Sequence, residues 1–146
     1  MILAAALAVL AAAAPSGGTL TIHVTNVRNA KGVVHMDVCP KAQFLKDDCP
    51  WSADAPAQRG ETIVVIRDLP PGDYAVQGFH DENGNGKVDR ALFGAIPKEG
   101  IAFSRDAPIH LSPPKWEDAV FAFDGRAKAI SLKMRYMLGA SGPDDR

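Results

Sequence analysis

The stretch TLTIHVTNV at residues 19–27 alternates apolar with polar side chains. Leu20, Ile22 and Val24 share one face, and this period of two is typical of a β-strand that buries one face and exposes the other. The chain contains no amphipathic run of helical length and helical period. The sequence therefore predicts an all-β protein in which this stretch is the first strand.

Further segments have the alternation and composition of strands. VVHMDVC at 33–39 follows a short turn, and its Val34, Met36 and Val38 share a face, so we expect the first two strands to form a hairpin. Residues 40–60 carry three prolines and follow neither period, which predicts a long connection. The other strand segments are ETIVVIRDL at 61–69, DYAVQGF at 73–79, one short strand within 92–103, WEDAVFAF at 116–123 and AISLKMRY at 129–136.

About seven short strands at this spacing are typical of an antiparallel β-sandwich, and we expect an immunoglobulin-like or transthyretin-like arrangement. A chain of 146 residues suits one domain with a real core. We assign residues 19–136 to this single β-sandwich domain and residues 137–146 to a polar C-terminal tail.

The first fourteen residues, MILAAALAVLAAAA, are wholly apolar and end in small side chains, as a secretory signal peptide does. This run is shorter than the roughly 20 residues of a membrane span, and no later apolar run reaches that length. We therefore expect an exported protein, periplasmic or secreted, without stable membrane insertion. The 16 basic and 17 acidic residues are interspersed, which argues against a nucleic-acid partner.

Cys39 and Cys49 are the only cysteines, and an even number of cysteines in an exported chain predicts a disulfide. Closing a loop of about 11 residues would remove denatured-state entropy worth on the order of 2.7 kcal/mol. The alternative is a pair of unpaired thiols. The spacing is too wide for a redox pair of the Cys-x-x-Cys type.

The segment HDENGNGKVD at residues 80–89 combines acids, amides and glycines. Calcium takes six to eight hard oxygen ligands, and a tight loop supplies them when alternate residues point inward around a glycine. Gly86 lies at the sixth position counted from Asp81, where such loops turn sharply. The candidate ligands at alternate positions of this loop are Asp81, Asn83, Asn85, the Lys87 carbonyl and Asp89.

Position twelve of the loop is Leu92, which cannot supply the bidentate carboxylate that normally completes the calcium sphere. Glu99 and Asp118 are the candidate replacements, and the sequence does not choose between them. We expect a weak calcium site with a structural role, in the roughly 10⁻⁴ to 10⁻³ M class of extracellular modules. The alternative is a bare Asx-Gly turn, because both Asn-Gly pairs form tight turns without metal.

Other functional patterns are poorer, so we expect a non-enzymatic interaction or binding module with a protein or carbohydrate partner. One alternative is a periplasmic or secreted hydrolase that uses His80 with nearby carboxylates. Another is a carbohydrate-binding module whose aromatic platform comprises Trp51, Tyr74 and Trp116. The four histidines are scattered without zinc-site spacing, and no nucleophile elbow or phosphate-binding loop occurs.

The run LPPGDYAVQGFHDENGNGKVDRALFGAIPKEGIAFS at 69–104, with PPKWEDAVF at 113–121, resembles the bacterial family known as domain of unknown function 2141. The resemblance implies a sandwich fold, a signal peptide and no assigned activity. It also implies that Asp81 begins the family's Asx-Gly loop and that Glu99 belongs to its PxEG element. Ala91 stands where the family often has Asn, which removes a possible oxygen ligand.

Overall fold

A computed structural model describes residues 17–86, 90–91, 96–109 and 112–143. The predicted signal peptide at 1–14 lies outside these residues. So do the predicted ligands Lys87 and Asp89.

The described chain is built mainly from strands, with one short helix and two single turns of 3-10 helix at Lys41–Gln43 and Ser104–Asp106. The strands are β1 (Gly18–Val27), β2 (Val33–Cys39), β3 (Trp51–Pro56), β4 (Gly60–Leu69), β5 (Gly72–Asp81), β6 (Arg90–Ala91), β7 (Ile96–Pro97), β8 (Ile101–Phe103), β9 (Phe121–Phe123) and β10 (Lys128–Lys133). The helix, α1, spans Trp116–Ala119.

Three strands form the first sheet, in the order β10-β1-β4. The central strand β1 pairs antiparallel with β4, where Ile22 lies opposite Val64. On its other side β1 pairs parallel with β10, where Ile22 lies opposite Ile130. The first and last long strands of the chain are therefore neighbours.

The second sheet has the order β3-β2-β5-β8 and is antiparallel throughout. The two halves of the long strand β5 pair with different strands along one edge. Its first residues pair with β9, and its residues from Gln77 to Phe79 pair with β8. A bridge between Ile101 and Arg135 ties β8 to the chain just after β10, so the sheets are also joined at this side.

The main core lies between the two sheets and consists of the predicted inward faces. Leu20, Ile22 and Val24 of β1 and Val34, Met36 and Val38 of β2 are all fully buried. These assignments and the all-β sandwich are confirmed, although the parallel β1–β10 pair departs from a purely antiparallel arrangement. Burying alternate apolar side chains of two sheets against each other is what stabilises such a sandwich.

A second apolar cluster packs on the other face of the second sheet, around Cys39 and Ala75. The predicted disulfide is confirmed: Cys39 and Cys49 are bonded, with an S–S distance of 2.04 Å. It closes the loop that carries Phe44, whose ring packs edge-on against Phe103 and Trp116. The disulfide therefore holds one wall of this cluster in place.

The predicted hairpin of the first two strands is wrong. β1 and β2 belong to different sheets, so the connection between them passes from one sheet to the other instead of reversing within one sheet. Two strands with one apolar face each have the same sequence pattern whether they pair side by side or face each other across a core. The pattern alone therefore cannot choose between these arrangements.

Two further predictions of local structure are corrected. Residues 51–56 form strand β3 inside the predicted long connection, where Trp51, Ala53 and Ala55 pack on the core. Small alanines and flanking prolines hide this alternation in the sequence. The segment WEDAVFAF is not one strand, because its first four residues form α1 and only Phe121–Phe123 are extended.

Among the described residues, no helix is long and apolar enough to cross a membrane.

Candidate metal centre

Two of the predicted metal ligands, Asp81 and Glu99, follow and precede the residues that join the end of β5 to β8. Phe79 lies opposite Ile101 on β8, and the His80 N–H donates to the Gly100 carbonyl at 2.9 Å. The paired register ends at Phe79 and Ile101, and Glu99 lies in a bend two residues before β8. Both side chains are buried, with 2% of Asp81 and 4% of Glu99 exposed.

The Asx-Gly loop folds around the carboxylate of Asp81. Its Oδ1 accepts the Asn85 N–H at 3.1 Å, and its Oδ2 accepts the Gly86 N–H at 2.7 Å. The Asn83 Oδ1 also accepts the Asn85 N–H, at 3.2 Å. Gly84 and Gly86 have φ values of 68° and 75°, which glycine adopts at little cost. The tight turn predicted as the alternative to a metal cage is therefore present.

This turn is compatible with a cation, because an ionised carboxylate has about four acceptor sites and the two backbone N–H groups use half of them. Within the described ranges, no group of three or more His, Cys, Asp or Glu side chains is placed to hold a metal ion. The candidate oxygen ligands for a metal at this end of β5 are two acids, Asp81 and Glu99, and two amides, Asn83 and Asn85. Such a hard-oxygen set suits calcium better than zinc or copper.

Asp118, the other candidate for the distant ligand, lies at the opposite end of β5. It is exposed on α1, which is anchored by a hydrogen bond from the Ser104 hydroxyl to the Ala119 carbonyl at 2.6 Å. The same hydroxyl accepts the Val76 N–H, five residues before Asp81 along β5. Five residues of strand span about 17 Å, so Asp118 lies far from the loop along β5, whereas Glu99 directly precedes Gly100, whose carbonyl accepts the His80 N–H.

His80 is fully buried and points into the core, where its ring nitrogens have two partners. Nε2 lies 2.7 Å from the Lys31 carbonyl, and Nδ1 lies 2.8 Å from the Tyr136 hydroxyl. Because a carbonyl only accepts, the proton belongs on Nε2, and the Tyr136 hydroxyl donates to Nδ1. Burial raises the pKa of Tyr136 to about 12, which keeps this hydroxyl protonated. This arrangement argues against His80 as the base of a hydrolase.

Arg28 and Glu82 form an ion pair beside the loop that the sequence did not reveal. The guanidinium donates to Glu82 through Nε, at 2.8 Å, and through Nη2, and Asn29 donates to the second carboxylate oxygen at 3.0 Å. Burial opposes ionisation of Glu82, but the hydrogen bonds from Asn29 and Arg28 hold its pKa below the usual value. The pairing joins residues 54 apart in the chain, and no local pattern marks it.

The aromatic residues of the predicted carbohydrate platform do not lie on one surface. Trp51 packs against Tyr74 at a ring distance of 5.4 Å on the main core, and Tyr74 is buried. Trp116 packs against Phe44 at 5.8 Å in the second cluster. Both tryptophans therefore serve packing.

A cavity of about 420 Å³ opens at the corner between β3 and β4. None of the candidate ligands, aromatic platform residues or His80 lines it. Its lining residues are Ala55, Pro56, Gln58, Glu61, Thr62 and Ile63.

Comparison with known proteins gives one match. A family model described as an uncharacterized protein conserved in bacteria (DUF2141) matches residues 22–131, which confirms the resemblance seen in the sequence. Neither a curated protein nor a solved structure matches the chain.

Proposed function

The chain belongs to the DUF2141 family of uncharacterised bacterial proteins, and from its own residues we propose that it is an exported, non-enzymatic β-sandwich domain with a weak structural calcium site in the 81–89 loop. The domain acts as an interaction module for a protein or carbohydrate partner. The cation fixes the conformation that the loop presents, and Asn83 to Gly86 are exposed to such a partner.

The observation that carries this proposal is the pair of buried acids at the end of β5. Asp81 and Glu99 are almost fully buried, and each is one residue away from the hydrogen bond between the His80 N–H and the Gly100 carbonyl. A buried carboxylate loses its hydration. A divalent cation bound by both carboxylates offsets part of that cost. Glu99 thereby supplies the carboxylate that position twelve, Leu92, lacks.

The export part of the proposal is supported by the Cys39–Cys49 disulfide. Such bonds persist in oxidising compartments and are rare in the reducing cytosol of most bacteria. The apolar segment at residues 1–14 has the composition of a signal peptide. A fractionation experiment with a C-terminal tag tests this part, and finding the tagged protein uncleaved in the cytosol would contradict it.

Calcium titration of the purified, oxidised protein tests the site. We expect calorimetric binding with a Kd of about 10⁻⁴ to 10⁻³ M. At about 10 mM calcium this affinity stabilises the folded state by about 1–3 kcal/mol, visible as a rise in melting temperature. Neither heat nor a shift in melting temperature at that concentration would overturn the calcium assignment.

Substitution separates the two candidate distant ligands. Glu99→Gln removes one charge with little change in shape, so we expect the calcium response to be lost. Asp118→Asn is the matched control, an equal change of charge on exposed α1, and should leave the titration unchanged. Loss of binding in the control instead would show that Asp118 is the ligand.

A further inference from the structure

Arg28 joins two parts of the molecule that are distant in sequence. On one side its guanidinium holds the carboxylate of Glu82, the residue that follows Asp81. On the other side its Nη1 donates to the carbonyls of Leu138 and Ala140, at 2.7 and 3.1 Å. The Arg28 side chain is only 14% exposed. Its hydrogen bonds to Glu82 are partly buried, whereas those to the two strap carbonyls lie at the surface.

The C-terminal strap, residues 134–143, is held in part by two side chains at the end of β1, Asn26 and Arg28. The Asn26 amide donates to the carbonyls of Met134 and Ser141, at 2.8 and 2.7 Å. The Arg28 guanidinium also lies over the Tyr136 ring, 4.4 Å from its centre. Met134 is fully buried in the core and its N–H donates to the Thr25 carbonyl of β1, and residue 135 forms a bridge to Ile101. Beyond residue 135 no described strand pairs with the strap, so Asn26 and Arg28 hold much of its remaining backbone.

Two links run from the strap to residues 80–82. The first passes from the strap carbonyls through Arg28 to Glu82. The second is the hydrogen bond between the Tyr136 hydroxyl and His80. Glu82 and His80 flank Asp81 on either side in the chain. Any change that fixes or releases the backbone at Asp81 therefore acts on both links.

We infer that cation binding at the Asp81 loop and closure of the C-terminal strap are coupled, so that each strengthens the other. This inference rests on the proposed calcium site. A cation on Asp81 fixes the backbone that positions Glu82, and Glu82 in turn orients the Arg28 fork toward the strap carbonyls. Met137 and Leu138 are exposed on the strap, so its opening changes the apolar surface that a partner meets.

Linkage makes the coupling measurable from both ends, because the factor by which the closed strap tightens calcium binding equals the factor by which calcium stabilises the closed strap. We expect about fivefold, at the lower end of common coupling strengths. Calorimetry on the full chain with calcium chloride gives the first factor, comparing the natural protein with Arg28→Lys. Lysine keeps the charge but cannot make the forked contacts. Arg67→Lys, at an exposed position of β4, is the matched control.

Hydrogen exchange of the amides at residues 137–142 gives the second factor. Exchange should slow about fivefold on calcium addition in the natural protein and in the Arg67→Lys control, and should not respond in Arg28→Lys. If circular dichroism shows that Arg28→Lys is unfolded, Glu82→Gln is a second variant that breaks the same link. The coupling would be overturned if all these proteins bound calcium equally well and calcium did not change the exchange rate of the strap amides. That result would leave the calcium site intact. Absence of calcium binding to the natural protein would overturn both.

Discussion

At the scale of the residue, His35 shows how a polar face of the sandwich is organised. Its Nε2 lies 2.7 Å from Asp37 Oδ1, and its Nδ1 lies 2.5 Å from Asp54 Oδ1. Both ring nitrogens face carboxylate oxygens, which only accept, so the geometry favours the imidazolium with two N–H donors. The hydrogen bond that His35 donates to Asp37, opposed by burial and aided by the one to Asp54, raises the pKa of His35 from 6.5 to about 9.

This raised pKa predicts a pH-dependent stability. A group whose pKa is higher in the folded state stabilises fully below its unfolded value of 6.5, progressively less up to about 9, and not at all above that. Because His35 is 26% exposed and solvent weakens its pairing, we expect about 1–2 kcal/mol. Urea unfolding of the natural protein and His35→Gln between pH 6 and pH 10 measures the contribution. The difference between them should shrink as pH rises, and a constant difference would contradict this assignment.

At the scale of the element, the connection from β1 to β2 determines where the loop begins. Gly32 has a φ of 67°, and a Cβ atom there would lie 1.8 Å from the Asp81 carbonyl oxygen. The preceding residue, Lys31, accepts the hydrogen bond of His80. The crossing between the sheets therefore touches the end of β5 through a backbone contact that only glycine allows.

Paired glycine substitutions isolate this contact. Gly60 also has a positive φ, 92°, but a Cβ there would meet nothing within 4 Å. Gly60→Ala should therefore cost only the left-handed backbone penalty of about 1–2 kcal/mol. Gly32→Ala carries the same penalty, and we expect about 1–3 kcal/mol more because the Asp81 backbone must move. Equilibrium denaturation of both variants tests this difference, and equal costs would show that the close approach is relaxed without strain.

At this scale, the sequence predicted features that depend on neighbouring residues and missed those that depend on residues far apart in the chain. The alternation in β1 and β2 is local, so Leu20 and Met36 were assigned to the buried face correctly. Strand β3 was not predicted because Ala53 and Ala55 are only weakly more apolar than their neighbours. The hairpin was wrong because pairing partners are chosen by the whole core and not by the strand itself.

At the scale of the whole molecule, burial between the two sheets accounts for the largest share of stability. Ile22 of β1 is 0% exposed, whereas Ile63 of the adjacent strand β4 is 49% exposed on the outer face of the same sheet. The same side chain therefore occurs on both faces of one sheet, which allows a direct comparison.

Truncating each isoleucine compares the two faces. Ile22→Ala leaves a cavity in the main core, and we expect a loss of about 2–5 kcal/mol in the free energy of unfolding. Ile63→Ala should change it by only about 0.5 kcal/mol, since its side chain remains largely in water. Urea denaturation followed by tryptophan fluorescence measures both. Similar losses at the two positions would mean that the outer face of the first sheet is covered in solution.

The sequence by itself determined the all-β class, the buried face of the long strands, the cysteine pair and the turn chemistry of HDENGNGKVD at 80–89. Each of these follows from neighbouring residues and a period of two. Only the tertiary structure decided that β1 and β2 face each other across the core, that Arg28 reaches Glu82 and the strap, and that the residue after Glu99 accepts the His80 N–H. These residues are far apart in the chain. They meet because the pairing of strands sets which residues of one strand lie beside which residues of the next.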